Sequence, residues 1–265
     1  MIREFGRIHT ETLGSGPDVV LVHGFGTHSG VWRDFAALLA ERFRVTLLDL
    51  PGHGRSGMIA DFTLDGAGRA LLEVAPKRAH WLGWSLGATI GLHLANRYPE
   101  RIATLAMLAG SARFVRGDDW PCAMEPELLS QFGVDMLADY QNTLMRFLGL
   151  QTWGLEDARS VVKRLREAVG ECRPPEENAL RAGLAILATA DLRRALSTLR
   201  PPLLLLLGGR DRLVPAAAGR AMQALARSAE LHVLDRAAHV PFLTHAGDCA
   251  SLVLDFWRRH DEATG

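Results

Sequence analysis

The residues best suited to chemistry are a serine held between two glycines, in Gly83-Trp84-Ser85-Leu86-Gly87, and a histidine and an aspartate far downstream. The pentad follows a short apolar stretch, His80-Trp81-Leu82, and runs into an amphipathic stretch reaching Asn96. That context predicts a strand, a sharp turn and a helix. At such a turn the serine backbone is strained, and the glycines are needed because neighbouring backbone crowds both positions. The turn lifts the Ser85 hydroxyl above the sheet and aims the first helical amides at whatever it attacks. A serine hydroxyl is a weak nucleophile near neutral pH and needs a base to take its proton. Histidine suits that step because its pKa lies near working pH.

The arrangement resembles the nucleophile elbow of α/β-hydrolases, in which serine, acid and histidine follow in that chain order. Ten histidines compete for the role of base. His239 follows an apolar strand in a loop and satisfies the order. His232 lies inside that strand, while His245 and His260 fall in or near the last helix. The acid must hold the imidazole in one tautomer and stabilise the imidazolium. Asp211, at the turn after Gly208-Gly209, is placed for it, with Asp235 the runner-up, disfavoured by its closeness in sequence to His239. His23 in His23-Gly24-Phe25-Gly26 is expected to order its loop through hydrogen bonds, and Asp49 to cap a turn. The resemblance implies an oxyanion hole made by the amides of Phe25 and Leu86.

These groups need a scaffold. Residues 7–12 are expected to form an edge strand, and 18–22, 44–48, 102–109, 201–207 and 230–234 read as strands of a mostly parallel sheet. Helical stripes run through residues 29–42, with Val31, Trp32, Phe35, Leu38 and Leu39 on one side, through 63–74, and through 247–260. From residue 111 to 187 strand signal fades and helical stripes take over, such as Leu144, Phe147, Leu148 and Val162, Leu165, Val169. The expected fold is α/β, an α/β-hydrolase core of residues 1–110 and 188–265 with a helical cap of 111–187 inserted between two strands. Insertions at the carboxyl ends of parallel strands lie over the site, so the cap should decide what enters.

Composition sets outer bounds. A chain of 265 residues, 48% hydrophobic, can bury one large core. The 30 basic residues balance the 30 acidic ones, which speaks against nucleic acid or an anionic membrane as partner. Cys122, Cys172 and Cys249 are far apart and form no C-x-x-C pair, which argues against a disulfide scaffold or a zinc site. The first residues carry no apolar signal region, and no run approaches membrane-spanning length, so the expectation is a soluble cytoplasmic protein without cofactor or metal.

Further motifs narrow the resemblance. Residues 49–56, Asp-Leu-Pro-Gly-His-Gly-Arg-Ser, stand with Asp119-Trp120-Pro121, Arg146-Phe147-Leu148-Gly149-Leu150-Gln151-Thr152, Leu213-Val214-Pro215 and Ala237-Ala238-His239-Val240-Pro241-Phe242. Together with the pentad they resemble the pimeloyl-acyl-carrier-protein methyl ester esterases of biotin synthesis over nearly the whole chain. The Arg-Phe-Leu-x-Leu-Gln segment is the most diagnostic part. Phe25, where the family often has tryptophan, and Asn142, where a basic residue is expected, depart from its pattern. The resemblance implies a monomeric serine carboxylesterase that demethylates a pimeloyl chain carried by an acyl carrier protein. Phe147, Leu148, Gly149 and Leu150 would line its acyl tunnel beside Phe25, Ser85, Leu86 and His239, with Gln151 at the polar end. Arg159, Lys163 and Arg166 share a helix face at i, i+4 and i+7, and with Arg146 they form an expected docking surface for the acidic carrier. A broad-specificity esterase of short acyl esters would use the same triad, and a carbon–carbon bond hydrolase of this fold is a more distant alternative.

Overall fold

The computed structural model of the protein describes residues 4–150 and 158–262, Leu150 and Glu262 through their backbone only. The chain opens with β1 (Thr10–Leu13), β2 (Asp18–Val22), a 3-10 turn at Ser29–Trp32, α1 (Arg33–Leu39) and β3 (Arg44–Leu48). Next come α2 (Leu64–Val74), β4 (Ala79–Trp84), α3 (Leu86–Arg97) and β5 (Ile102–Leu108). A helical stretch follows: α4 (Pro126–Ala138), α5 (Tyr140–Leu150), α6 (Ala158–Gly170), α7 (Glu177–Thr189) and α8 (Arg193–Ser197). The rhythm then resumes with β6 (Leu203–Gly208), α9 (Ala216–Leu225), β7 (Glu230–Leu234), α10 (Pro241–Thr244) and α11 (Ala246–Glu262).

The seven strands form one sheet in the order β1-β3-β2-β4-β5-β6-β7. Only β1 runs antiparallel to its neighbour; every other pairing is parallel. Parallel strands are covered on both faces, so they read as unbroken apolar runs rather than alternating ones. All six residues of β4 and all six of β6, Leu203-Leu204-Leu205-Leu206-Leu207-Gly208, are buried. Strand order reverses at β2 and β4, the crevice where open α/β sheets bind ligands. The loops after β2, β4, β6 and β7 all leave from carboxyl ends, and they carry Phe25, Ser85, Asp211 and His239 respectively.

Two elements differ from the sequence expectation. The edge strand begins at Thr10 rather than Arg7, because the chain before it bonds to the loop after β3: Gly6 donates to Met58 O and Gly57 to Arg7 O. The helical stripe of residues 29–42 divides into the 3-10 turn and α1, which ends at Leu39, after which Phe43 returns to the core. Thr63 caps α2 by accepting the Gly66 amide at 3.1 Å. Between β5 and β6, α4 packs on α5 and α7, α5 packs on α6, and α6 packs on the 3-10 turn.

Candidate active site

Ser85 stands between β4 and α3 with φ 53° and ψ −115°, a left-handed conformation that costs a non-glycine residue about 1–3 kcal/mol. The flanking glycines answer to crowding, as the sequence suggests. A Cβ at Gly83 would strike the Gly87 carbonyl, and one at Gly87 would strike the carbonyls of Val22 and His23. Leu86 is the first residue of α3, so its amide has no partner within the helix, and the helix N-terminus favours negative charge in front of it. Phe25 sits on the loop after β2 and shares a cavity with Ser85.

His239 and Asp211 meet as expected. His239 Nδ1 donates to Asp211 Oδ2 at 2.8 Å, with both side chains almost fully buried. The second carboxylate oxygen, Oδ1, accepts the amides of Leu213 at 2.8 Å and Val214 at 3.0 Å. The three bonds engage both oxygens and fix the plane of the carboxylate. Asp235, the runner-up, is exposed in the turn after β7. The two loops are tied together by Arg210 N–H donating to Ala237 O at 2.9 Å.

Trp84, to which the sequence reading gave no role, holds the histidine loop. Its Nε1 donates to His239 O at 2.8 Å, and its ring packs on Phe242 with centroids 5.2 Å apart. Phe242 in turn packs on Trp32 at 4.2 Å. The signal for this lay in the sequence as a tryptophan inside the pentad and a Pro-Phe pair just after the histidine.

His23 is buried and makes two hydrogen bonds of defined direction: Nδ1 donates to Gly24 O at 2.8 Å, and Nε2 accepts the Leu50 amide at 2.9 Å. Burial pushes its pKa down to about 4, against the pull of Asp49 and the Gly24 carbonyl. It is a neutral loop brace, as the sequence reading expected. Asp49 accepts the amides of Ser29 and Arg55, both at 2.7 Å, and so joins the loop after β2 to the loop after β3. Burial alone would raise the Asp49 pKa; His23 and these amides hold it below the ordinary value.

A cavity of about 230 Å³ opens over Ser85 and His239. Of the expected tunnel residues, Phe25 and Phe147 line it. Phe147 lies edge-on to His239 at 5.9 Å and packs against Phe132 at 5.3 Å. Leu148 does not line it: one residue further along α5 turns the side chain by about 100°, and Leu148 is fully buried in the core. Gly149 is likewise absent from the lining. Leu150 is described only by its backbone, and Gln151 lies outside the described residues. The walls come instead from residues the sequence reading did not single out, among them Phe114, Met124, Leu129, Phe132, Leu187 and Arg212. Leu128, Leu129 and Phe132 on α4, spaced i, i+1 and i+4 and so on one side of the helix, were the available signal. Arg146, Arg159, Lys163 and Arg166 are exposed on α5 and α6, and Lys163 pairs with Glu167 at 3.8 Å. Among the described residues, no helix is long and apolar enough to cross a membrane.

Residues 19–252 match the alpha/beta hydrolase family. The pimeloyl-[acyl-carrier protein] methyl ester esterase of Methylococcus capsulatus is 46% identical over 246 residues, 93% of this chain and 96% of that protein. The protein of the same name from Xanthomonas campestris pv. campestris is 43% identical over 94% of this chain and 98% of its own. Among solved structures, a hydrolase from Pseudomonas aeruginosa superposes with a TM-score of 0.80 at 28% identity, covering 94% of each chain.

Proposed function

The chain belongs to the alpha/beta hydrolase family, and from that premise we propose that it is a serine carboxylesterase that hydrolyses the methyl ester of pimeloyl-acyl-carrier-protein in biotin synthesis. The observation that carries the reading is the buried 2.8 Å hydrogen bond from His239 to Asp211, beneath an apolar cavity that also contains the strained Ser85. Relatives that bear the esterase name, matched over 96–98% of their own length, supply the substrate class.

The chemistry follows from the geometry. With Nδ1–H committed to Asp211, the other ring nitrogen of His239 is unprotonated and takes the Ser85 proton as the oxygen attacks the ester carbon. The charge on the tetrahedral oxygen is met by the amides of Phe25 and Leu86. In other serine hydrolases, losing one such donor costs about 3 kcal/mol of barrier. Methanol leaves with the proton from His239, and a water activated by the same histidine releases the free acid. The substrate carries a thioester and an ester of comparable reactivity, so selectivity is positional. In this reading α4 to α6 and most of α7, the part of the chain between β5 and β6 expected as residues 111–187, act as the cap that holds the chain with its terminal ester at Ser85. The carrier docks on Arg146, Arg159, Lys163 and Arg166, and the enzyme works as a cytoplasmic monomer.

The test uses the purified protein and pimeloyl-acyl-carrier-protein methyl ester. The expected result is one methanol per carrier and a carrier lighter by one CH₂, together with growth without biotin of a host lacking its own esterase. Hydrolysis of nitrophenyl esters with the carrier-bound methyl ester left intact would return the protein to the broad-specificity esterases.

A further inference from the structure

Apart from Ser85 and His239 themselves, the cavity over Ser85 is walled by Phe25, Trp84, Phe114, Met124, Phe132 and similar apolar side chains, with one exception. Arg212 lines it too, and among the described residues that do so it alone bears a permanent charge. It sits on the loop after β6, directly after Asp211, and is exposed. Asp211 does not pair with it: its Oδ2 takes His239 and its Oδ1 takes the amides of Leu213 and Val214. Among the described residues the Arg212 guanidinium has no carboxylate partner. A cation at the edge of an apolar cavity, with no carboxylate paired to it among the described residues, is a receptor for an anion. A guanidinium fork matches a carboxylate best, because two parallel hydrogen bonds form at once.

That carboxylate must share a cavity of about 230 Å³ with the carbonyl at Ser85. The phosphodiester of a carrier arm cannot, since the whole acyl chain and the whole arm separate it from the ester. A short chain with an ester at one end and a carboxylate at the other can. We propose that Arg212 gives this enzyme a second substrate class, the free monoalkyl esters of medium-chain dicarboxylic acids, with the carboxylate on Arg212 and the ester on Ser85. The inference rests on the esterase reading above. Ser85 Oγ bonds to the ester carbon while its proton passes to His239, and the bond to the alkoxy oxygen breaks as the alcohol leaves with that proton. Water then gives one proton to His239 and its oxygen to the acyl carbon; the bond from that carbon to Ser85 Oγ breaks and His239 returns the proton to Ser85. The diacid departs as a dianion and one proton goes to solvent.

The experiment compares kcat/KM for monomethyl and dimethyl heptanedioate, which differ in the charge at the far end. The native enzyme is expected to favour the monoanion, and Arg212→Gln to lower the monoester-to-diester ratio about five- to tenfold through KM, the scale of one charge-assisted hydrogen bond. Arg212→Lys keeps the charge without the fork and falls between them. Added salt shrinks the native preference. Heptanedioate itself should inhibit the native enzyme competitively and the Gln variant several-fold less. A ratio unmoved by Arg212→Gln, or a dimethyl ester hydrolysed while the monoester is refused, overturns the role of Arg212 and leaves the esterase standing. If neither ester is hydrolysed while the carrier-bound methyl ester is, this proposal falls and the esterase reading stands; if the carrier-bound ester is refused as well, both fall.

Discussion

Replacing Asp211 by asparagine tests the assignment at its most buried contact. The carboxylate holds three donors: His239 Nδ1–H on Oδ2, and the Leu213 and Val214 amides on Oδ1. An asparagine has one acceptor oxygen and one donor group, so it cannot keep all three. If its oxygen turns to His239, its NH₂ faces two backbone donors in a buried site, each left unsatisfied at about 1–3 kcal/mol. If its oxygen keeps the two amides, only the histidine bond is lost, and this orientation wins. The NH₂ then faces His239 and favours the tautomer protonated on the nitrogen that should accept the serine proton. The same substitution lowers kcat about 10⁴-fold in chymotrypsin-like enzymes, and a loss of 10³–10⁴ is expected here, about 4–5 kcal/mol of barrier. The assay is turnover of a nitrophenyl ester, with melting temperature as the check on folding. Asp235→Asn, in an exposed turn, should stay within about twofold of the native rate. A folded Asp211→Asn variant within tenfold of native, or a larger loss from Asp235→Asn, would refute the reasoning.

Ser85→Ala and Ser85→Gly should both lose about 10⁶ in turnover, as nucleophile removal does in subtilisin, and the glycine variant should melt higher because it relieves the positive φ; equal melting would remove strain from the account. Phe147→Ala should shift the preferred acyl length, whereas Leu148→Ala, buried in the core, should cost about 3 kcal/mol of stability and leave the length profile unchanged. Reversing Arg159 and Lys163 to glutamate should raise KM for the carrier-bound ester at low salt and leave a small methyl ester almost unaffected; equal loss on both substrates would mean this face recognises no carrier. His23 takes a proton near pH 6.5 when unfolded but only near 4 when folded, so unfolding takes up a proton between those values. The fold should therefore be fully stabilised above pH 6.5 and lose up to about 3 kcal/mol as pH falls toward 4. Urea midpoints at pH 7 and 4.5 measure this, and a slope left unchanged by His23→Asn would count against it.

The chemistry was easier to read from the sequence than the specificity. Gly83 to Gly87 is a local signal: the strained serine, the crowding and the following helix are all encoded within a few residues. The Asp211 loop was readable because it follows Leu203 to Leu207, an apolar run that only a buried strand explains, and the His239 loop because it follows the shorter, half-buried β7 in the chain order the fold requires. The edge strand was misplaced because Arg7 and Gly6 bond to residues 57 and 58, a partnership no local pattern announces. The cavity walls were missed for a similar reason. Phe147 and Leu148 are adjacent, apolar and on one helix, yet one lines the cavity and the other fills the core. Periodicity marks a buried face without saying whether protein or substrate covers it.

The catalytic loops are interlocked and leave little room for adjustment. Trp84 holds the His239 carbonyl, Arg210 holds Ala237, and Phe242 is wedged between Trp32 and Trp84. A misplacement on the order of 1 Å at such a site costs about 10²-fold in rate, so these contacts fix the chemistry for any ester that arrives. Choice among esters must therefore lie where side chains meet substrate without hydrogen-bonding the triad scaffold. Those positions are Leu128, Leu129 and Phe132 on α4, Phe147 on α5, Leu187 on α7, and Arg212 at the rim. Substitutions there change which chain fits and leave the path of the proton alone. One triad can in this way serve a carrier-bound ester and a small one, separated by what the cap and the rim admit.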